Sequence, residues 1–202
     1  MPESKQNHQW GRCLRRLLVA AFAFGAVSID LNGDPVLYFS YFTVLTNLGI
    51  GLWFFFAALA PAKLEKASLL RLMLTVYGLV TLLVYWVVLS PNHHPQGLNF
   101  WANLVLHLGV PLAMAGEDLV VPWPRITAWA ALWSLGFPCF YAAFTLIRGQ
   151  LTGWYPYFFF DERKWGNWES LATFMVLLLA VFLGLAYLWR VVVQRTRKAT
   201  AK

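Results

Sequence analysis

Charge is scarce in this chain: of 202 residues only 9 are acidic and 16 basic, 12% together, against 59% hydrophobic and 17% aromatic. Too little polar surface remains to clothe an ordinary soluble domain, so that class is excluded. Cysteine is scarcer still. Cys13 and Cys139 are the only two, too few and too far apart in the expected topology for a disulfide framework or a thiolate metal site. Also missing are ten-residue segments of alternating polarity, which excludes a membrane barrel. No tandem repeat and no separate soluble domain is visible.

What the chain has is long apolar runs separated by short polar breaks. Runs of this kind span membranes as helices, and the length allows about six at roughly 20 residues each. The expected fold is all-α, a single polytopic membrane domain over 1–202. Its spans fall at about 17–31, 37–60, 69–89, 98–115, 126–147 and 169–192, with a kink in the fifth at Pro138. Arg12 to Ala26 imitates a signal peptide, basic then apolar with a small-x-small triplet; the segment is expected to be retained as the first span. Breaker residues mark a turn at Asp30-Leu-Asn-Gly-Asp-Pro35 and a loop at Ser90-Pro-Asn-His-His-Pro-Gln-Gly97. The longest loop, 148–168, is dense in aromatics suited to a membrane interface.

A net charge of +7 does not point to a nucleic-acid partner, because the basic residues collect at the ends of apolar runs, where they determine topology. With both termini inside, the inner side holds 13 Lys and Arg, and the outer side holds only Arg148, Arg163 and Lys164. Both termini are therefore expected in the cytoplasm, with the protein integral to a bacterial inner membrane.

The candidate site grows from one stretch, Asn99-Phe-Trp-Ala-Asn-Leu-Val-Leu-His-Leu-Gly-Val-Pro111. It places an ionisable imidazole, His107, inside an apolar run, where such a group is costly and marks a functional position. Asn99, Asn103, His107 and Pro111 recur every four residues and form one slowly drifting polar stripe. On the second span Thr43, Thr46 and Asn47 share a face, and on the third Tyr77, Thr81 and Tyr85 follow at spacing four.

Both the second and fourth spans enter from the outer face. At 1.5 Å per residue, Thr43 lies roughly 9 Å deep and Thr46 and His107 roughly 14 Å deep, so a hydroxyl and the imidazole can meet. A threonine hydroxyl becomes a nucleophile when an adjacent base takes its proton, and a neutral histidine is such a base at physiological pH. Asn47 or Asn103 would orient the ring or donate to an oxyanion.

The plainer reading is that intramembrane Thr, Asn and His hydrogen-bond helices together, and the tyrosine stripe is equally suited to packing. His93-His94 lacks a third ligand at a convincing spacing and reads as a solvated loop, so no metal is expected. Asp161-Glu162 with Arg163-Lys164 reads as a neutralised loop surface. Glu117-Asp118 reads as the cap or end of a helix on the cytoplasmic side.

Three pieces, Asn103-Leu-Val-Leu-His-Leu-Gly-Val-Pro111, Tyr41-Phe-Thr43 and Leu151-Thr-Gly-Trp-Tyr-Pro-Tyr157, together resemble the androgen-induced protein and FAR-17a family of six-helix membrane proteins. The resemblance implies a threonine hydrolase that cleaves fatty-acid esters of hydroxy fatty acids within the membrane. It implies His107 as base and Thr43 as nucleophile. One departure is that the family's polar residue follows the threonine by three, whereas Asn47 follows Thr43 by four; aligning on Asn47 would put Val44 at the nucleophile position, so Thr46 stays open as the alternative.

Thr152 to Tyr157 is expected on the outer side as a lid, with Trp154 and Tyr155 at the pocket beside Asn47, Asn103, Tyr77, Thr81 and Tyr85. The implied activity is hydrolysis of a fatty-acyl lipid ester through an acyl-enzyme. Membrane lipids and the ester would be its partners, and no metal or organic cofactor is required. Alternatives are an acyltransferase using the same residues, or a lipid-binding or transport protein without catalysis.

Overall fold

The computed structural model describes residues 3–29, 34–124 and 126–200, with side chains described from 9 to 196 within those ranges. The expected turn at residues 30–33, Arg125, and the side chains of Lys5, Arg197, Lys198 and Lys202 lie outside the described residues. Among the described residues every regular element is helical. Five helical segments are long and apolar enough to cross a membrane: Phe42–Leu59, Ser68–Asn92, Leu98–Val120, Trp129–Thr152 and Trp168–Thr196.

Helix α1 (Glu3–Ile29) carries its apolar run behind Arg12, Arg15 and Arg16 and lies antiparallel along α3 (Phe42–Leu59). Cys13 Sγ approaches the Ala58 carbonyl at 3.8 Å, and Arg16 reaches the Ala57 carbonyl at 2.7 Å. Further along, Ala23 and Phe24 press on Gly51, where an added Cβ would meet the Phe24 ring at 2.8 Å. At the far end the Tyr38 hydroxyl donates to the Val27 carbonyl at 2.7 Å. Close backbone approach at small residues is the usual basis of helix association in a membrane, where lipid removes the hydrophobic drive.

The second expected helix is broken, a correction to the 37–60 reading. A short α2 (Pro35–Tyr38), capped by Asp34 and opened by proline, precedes an extended Tyr41. The first N–H groups of any helix lack intrahelical partners. In α3 two tyrosine hydroxyls supply them: Phe42 N–H donates to Tyr141 and Thr43 N–H to Tyr157, each at 3.1 Å. Tyr141 in turn donates to the Ser40 carbonyl at 2.8 Å, and Arg148 to Ser40 Oγ at 3.0 Å. A break fastened from distant elements leaves no local signal.

After α4 (Pro61–Leu64), helix α5 (Ser68–Val84) continues into a π-helical turn, Tyr85–Leu89, and a 3₁₀ turn, Ser90–Asn92. The next span repeats the device. Helix α6 (Leu98–Leu104) passes through a π-helical turn, Val105–Gly109, into α7 (Val110–Val120). Gly78 lets α5 approach α7, since a Cβ there would lie 3.3 Å from Pro111 Cα.

The segment Trp129–Thr152, expected at 126–147 with a kink, is interrupted near Pro138. Helices α8 (Trp129–Trp133) and α9 (Gly136–Thr152) are separated at Ser134 and Leu135. Pro138 has no N–H for the carbonyl of Ser134, four residues before it, and that carbonyl accepts from the Tyr77 hydroxyl at 2.9 Å instead, so the interruption falls in the turn a proline disrupts. Gly153, at φ 72°, ends α9 in the left-handed conformation. Helix α10 (Trp168–Thr200) completes the chain and outruns the expected 169–192.

Glu117 and Asp118, expected at the cap or end of a helix, lie in the last turn of α7 and are fully buried there. Arg16 Nε donates to Glu117 Oε1 at 2.9 Å, and Arg15 pairs with Oε2 of the same carboxylate. Arg71 holds Asp118 Oδ1 at 3.0 Å, while Thr75 and Trp189 donate to Oδ2. Neutralised in this way, the acidic pair stays inside the helix and carries it beyond residue 115. Arg16 and Arg71, expected as topology markers at helix ends, thus join α1, α5 and α7 to one another, and Trp189 brings in α10.

Candidate active site

Thr43 occupies the first turn of α3, facing the π-helical turn Val105–Gly109. Its Oγ1 lies 3.3 Å from His107 Nε2. On the other side of the imidazole, Nδ1 lies 3.0 Å from the backbone carbonyl of Asn103. A carbonyl oxygen only accepts, so Nδ1 carries the hydrogen and a neutral ring presents a bare Nε2 to the threonine. In the π-helical turn, Val110 N–H reaches back five residues to Val105 rather than four. Such widened turns are frequent at functional sites.

Tyr157 completes the chain of hydrogen bonds. Its oxygen accepts from Thr43 N–H and also lies 3.2 Å from Thr43 Oγ1. Since the threonine proton is directed at Nε2, the phenol hydrogen is the one left to donate to Oγ1. Burial pushes the Tyr157 phenol up to about 12, although its hydrogen bonds to Thr43 pull the other way. It therefore remains a donor over the whole neutral range.

Tyr85, on the π-helical turn that ends α5, stacks on the imidazole with centroids 3.9 Å apart and planes 26° from parallel. Its hydroxyl accepts from Asn103 Nδ2 at 2.6 Å and lies 3.4 Å from His93 Nδ1. Asn103 thus acts on the ring through its carbonyl, and its side chain holds the tyrosine. Asn47, completely buried, donates to the carbonyls of Thr43 and Leu106 at 2.8 and 3.0 Å. With both amide hydrogens committed, it fastens α3 to the histidine turn and has none left for an oxyanion.

The other expected site residues lie elsewhere. Thr46 is buried and its Oγ1 makes no hydrogen bond, so Thr43 alone of the two threonines meets the ring. Tyr77 packs among Phe42, Phe137 and Phe182 and donates to the Ser134 carbonyl. At 100° per residue, a spacing of four drifts 40° each step, which turns Tyr77 into the core and Tyr85 toward the site. Trp154 and Tyr155 border neither cavity described below. Trp154 instead backs Tyr41, and Tyr155 fills the space over Gly149 and donates to Glu162 at 2.9 Å.

Two cavities meet at the threonine. A chamber of about 670 Å³ is bordered by Tyr38, Tyr41, Tyr85, His93, Asn99, Asn103 and His107. An apolar cleft of about 70 Å³ runs between Val80, Thr81, Tyr141, Met175, Leu178 and Phe182. Thr43 and Tyr157 border both. His93 and His94 are exposed at the chamber wall, and among the described residues no three His, Cys, Asp or Glu converge as metal ligands.

Tyr157 was the missed member. Its signal was present in the Tyr-Pro-Tyr end of the loop motif, where the proline sets Tyr157 two residues beyond Tyr155. The Tyr85 stack had no signal, since two π-helical turns create it. Comparison of the chain with models of known families, with characterised proteins and with solved structures finds no match.

Proposed function

We propose that the protein is an intramembrane lipid-ester hydrolase, related to the androgen-induced protein and FAR-17a family, with Thr43 as nucleophile and His107 as base. The observation that carries this reading is the 3.3 Å approach of Thr43 Oγ1 to an imidazole nitrogen left bare by the bond from Nδ1 to Asn103. Such a pair is the geometry of an activated hydroxyl nucleophile. Its placement between an apolar cleft and a polar chamber suits an ester whose two halves differ in polarity.

In the proposed reaction the Thr43 oxygen bonds to the ester carbonyl carbon while its proton passes to His107 Nε2. The ester C–O bond then breaks, and that proton leaves with the alcohol. Water, deprotonated by the same nitrogen, cleaves the acyl-threonine and releases the acid and the free hydroxyl. A lipid alcohol in place of water would make the enzyme an acyltransferase.

The same proposal holds that α1 is a sixth span and that both termini face the cytoplasm of a bacterial inner membrane. Support comes from the antiparallel seam of α1 along α3, from Cys13 beside Ala58 to Val27 beside Tyr38. A helix held along α3 over this length supports a sixth span.

A fluorophosphonate probe tests the site. Labelling of the purified protein is expected, abolished in Thr43→Ala and His107→Asn and retained in Thr46→Ala. Absence of labelling in wild type would overturn the proposal in favour of a lipid binder or transporter, and its persistence in Thr43→Ala would overturn Thr43 as the nucleophile.

A further inference from the structure

Which half of the ester lies on which side of Thr43 can be read from where the base stands. His107 borders the chamber and not the cleft, whereas Thr43 borders both. The proton that Nε2 takes from Thr43 has to be handed to the departing alkoxide, and proton transfer requires hydrogen-bond reach. The alcohol half therefore leaves into the chamber, and the acyl half lies over the cleft.

The two spaces differ in size and in chemistry. A cavity of about 150 Å³ is what a benzene ring occupies in a well-studied protein core. At about 70 Å³ the cleft is less than half that, so it admits a slim, unbranched chain beside the carbonyl and rejects a branch or ring there. The chamber, about 670 Å³, presents the amides of Asn92, Asn99 and Asn103, the imidazoles of His93 and His94, and tyrosine hydroxyls. Among the described residues no Asp, Glu, Lys or Arg borders it. A carboxylate or phosphate drawn into such a site would lack a fixed countercharge and lose much of its hydration. Hydroxyl groups would find both donors and acceptors.

We infer that the substrate is an ester of an unbranched acyl chain with an uncharged, hydroxyl-rich alcohol of the glycerol or sugar type, its alcohol half held in the chamber and its acyl half in the cleft. The inference rests on the ester-cleaving reading of Thr43 and His107. Cleavage follows the steps given for that reading, with the neutral polyol released as the first product and the fatty acid as the second.

The test uses full-length protein in nanodiscs at pH 8, where free imidazole is uncharged. Four esters share one straight acyl chain: the glycerol monoester, the glycerol-3-phosphate monoester, the ester of a hydroxy fatty acid bearing a free carboxylate, and the methyl ester. The expected result is a kcat/KM for the glycerol ester about tenfold or more above both charged esters. A methyl branch next to the carbonyl lowers the glycerol ester's rate by about tenfold. Asn99→Ala lowers the ratio of glycerol-ester to methyl-ester kcat/KM, through a raised KM for the former.

Equal or better turnover of either charged ester overturns the inference, and so does indifference to the branch. Failure to cleave any of the four, or turnover by Thr43→Ala equal to wild type, overturns the ester-cleaving reading itself. The two failures are thus told apart by the methyl ester.

Discussion

The Tyr85 ring lies flat against the His107 imidazole, 3.9 Å between centroids, and each ring stands on a π-helical turn of its own span. Contact of this kind contributes about 0.5–1.5 kcal/mol beyond burial. More important for function, it leaves the imidazole one orientation, the one that points Nε2 at Thr43. Tyr85→Phe keeps the stack and loses only the hydroxyl that Asn103 holds, so activity should fall by no more than a few-fold. Tyr85→Ala frees the ring. Misplacement by about 1 Å can cost about a hundredfold, and the loss should appear in kcat with KM little changed. Hydrolysis kinetics with the methyl ester check both variants; equal losses in the two would refute a positioning role for the ring face.

Tyr157 makes a prediction with a sign. Its phenol, pushed up to about 12 by burial, holds its proton where an unfolded tyrosine has lost it. From the ordinary value of about 10 up to about 12 the unfolded chain binds fewer protons, so stability falls as pH rises through that window and is unaffected below it. Tyr157→Phe removes this contribution. The thermal midpoint of wild type should therefore drop more steeply than that of Tyr157→Phe between about pH 10 and pH 11.5; parallel curves would show that the phenol titrates alike in both states. At neutral pH the same variant loses the donor to Thr43 Oγ1, and kcat should fall by about tenfold or more.

Asn47 shows how the site is fastened. Its amide bridges the carbonyls of Thr43 and Leu106, joining the helix of Thr43 to the turn of His107. Asn47→Leu leaves two buried carbonyls each short of a donor, at a cost of about 1–3 kcal/mol. Asn47→Asp sets a carboxylate against the same carbonyls and should cost more. A fall in thermal midpoint of about 2–10 °C for Asn47→Leu is expected in detergent, with Asn47→Asp lower again. The reverse order would show that the amide bonds are not what holds the turn.

Much of this site can be read in the sequence because polarity inside an apolar run is conspicuous. His107, Thr43 and Asn47 stand out on helical faces, and the spacing of four leads from His107 back to Asn103. The break at residues 39–41 cannot be read in the same way. Its fastening comes from Tyr141 and Tyr157, about a hundred residues away, and an apolar sequence such as Val36-Leu-Tyr-Phe continues a helix as readily as it ends one. The π-helical turns are equally silent, since one extra residue in a turn changes no composition. Tyr77 went to the core for the opposite reason: the regular period was real, but its drift over two steps carries the stripe off the site. The place of Glu117 and Asp118 at a helix end is legible, but their burial is not, because their partners Arg16 and Arg71 lie 101 and 47 residues away.

That ionic cluster supports a last prediction. Glu117 is fully buried, with Arg16 on one oxygen and Arg15 on the other, and Arg16 also reaches Glu65 and the Ala57 carbonyl. Removing one member of a buried pair leaves an uncompensated charge and costs about 3–5 kcal/mol. Removing both in favour of apolar residues of similar volume is often neutral, because neither charge then has to be taken out of water. Glu117→Leu should thus lower the thermal midpoint sharply, and Arg16→Met with Glu117→Leu should restore part of that loss, leaving Glu65 and Arg12 paired at the rim. Measured as a double-mutant cycle in detergent, the coupling should be large and of one sign. Additive losses in the cycle would mean that water or lipid head groups solvate the cluster, and the junction of α1 with α7 would then have to rest on packing alone.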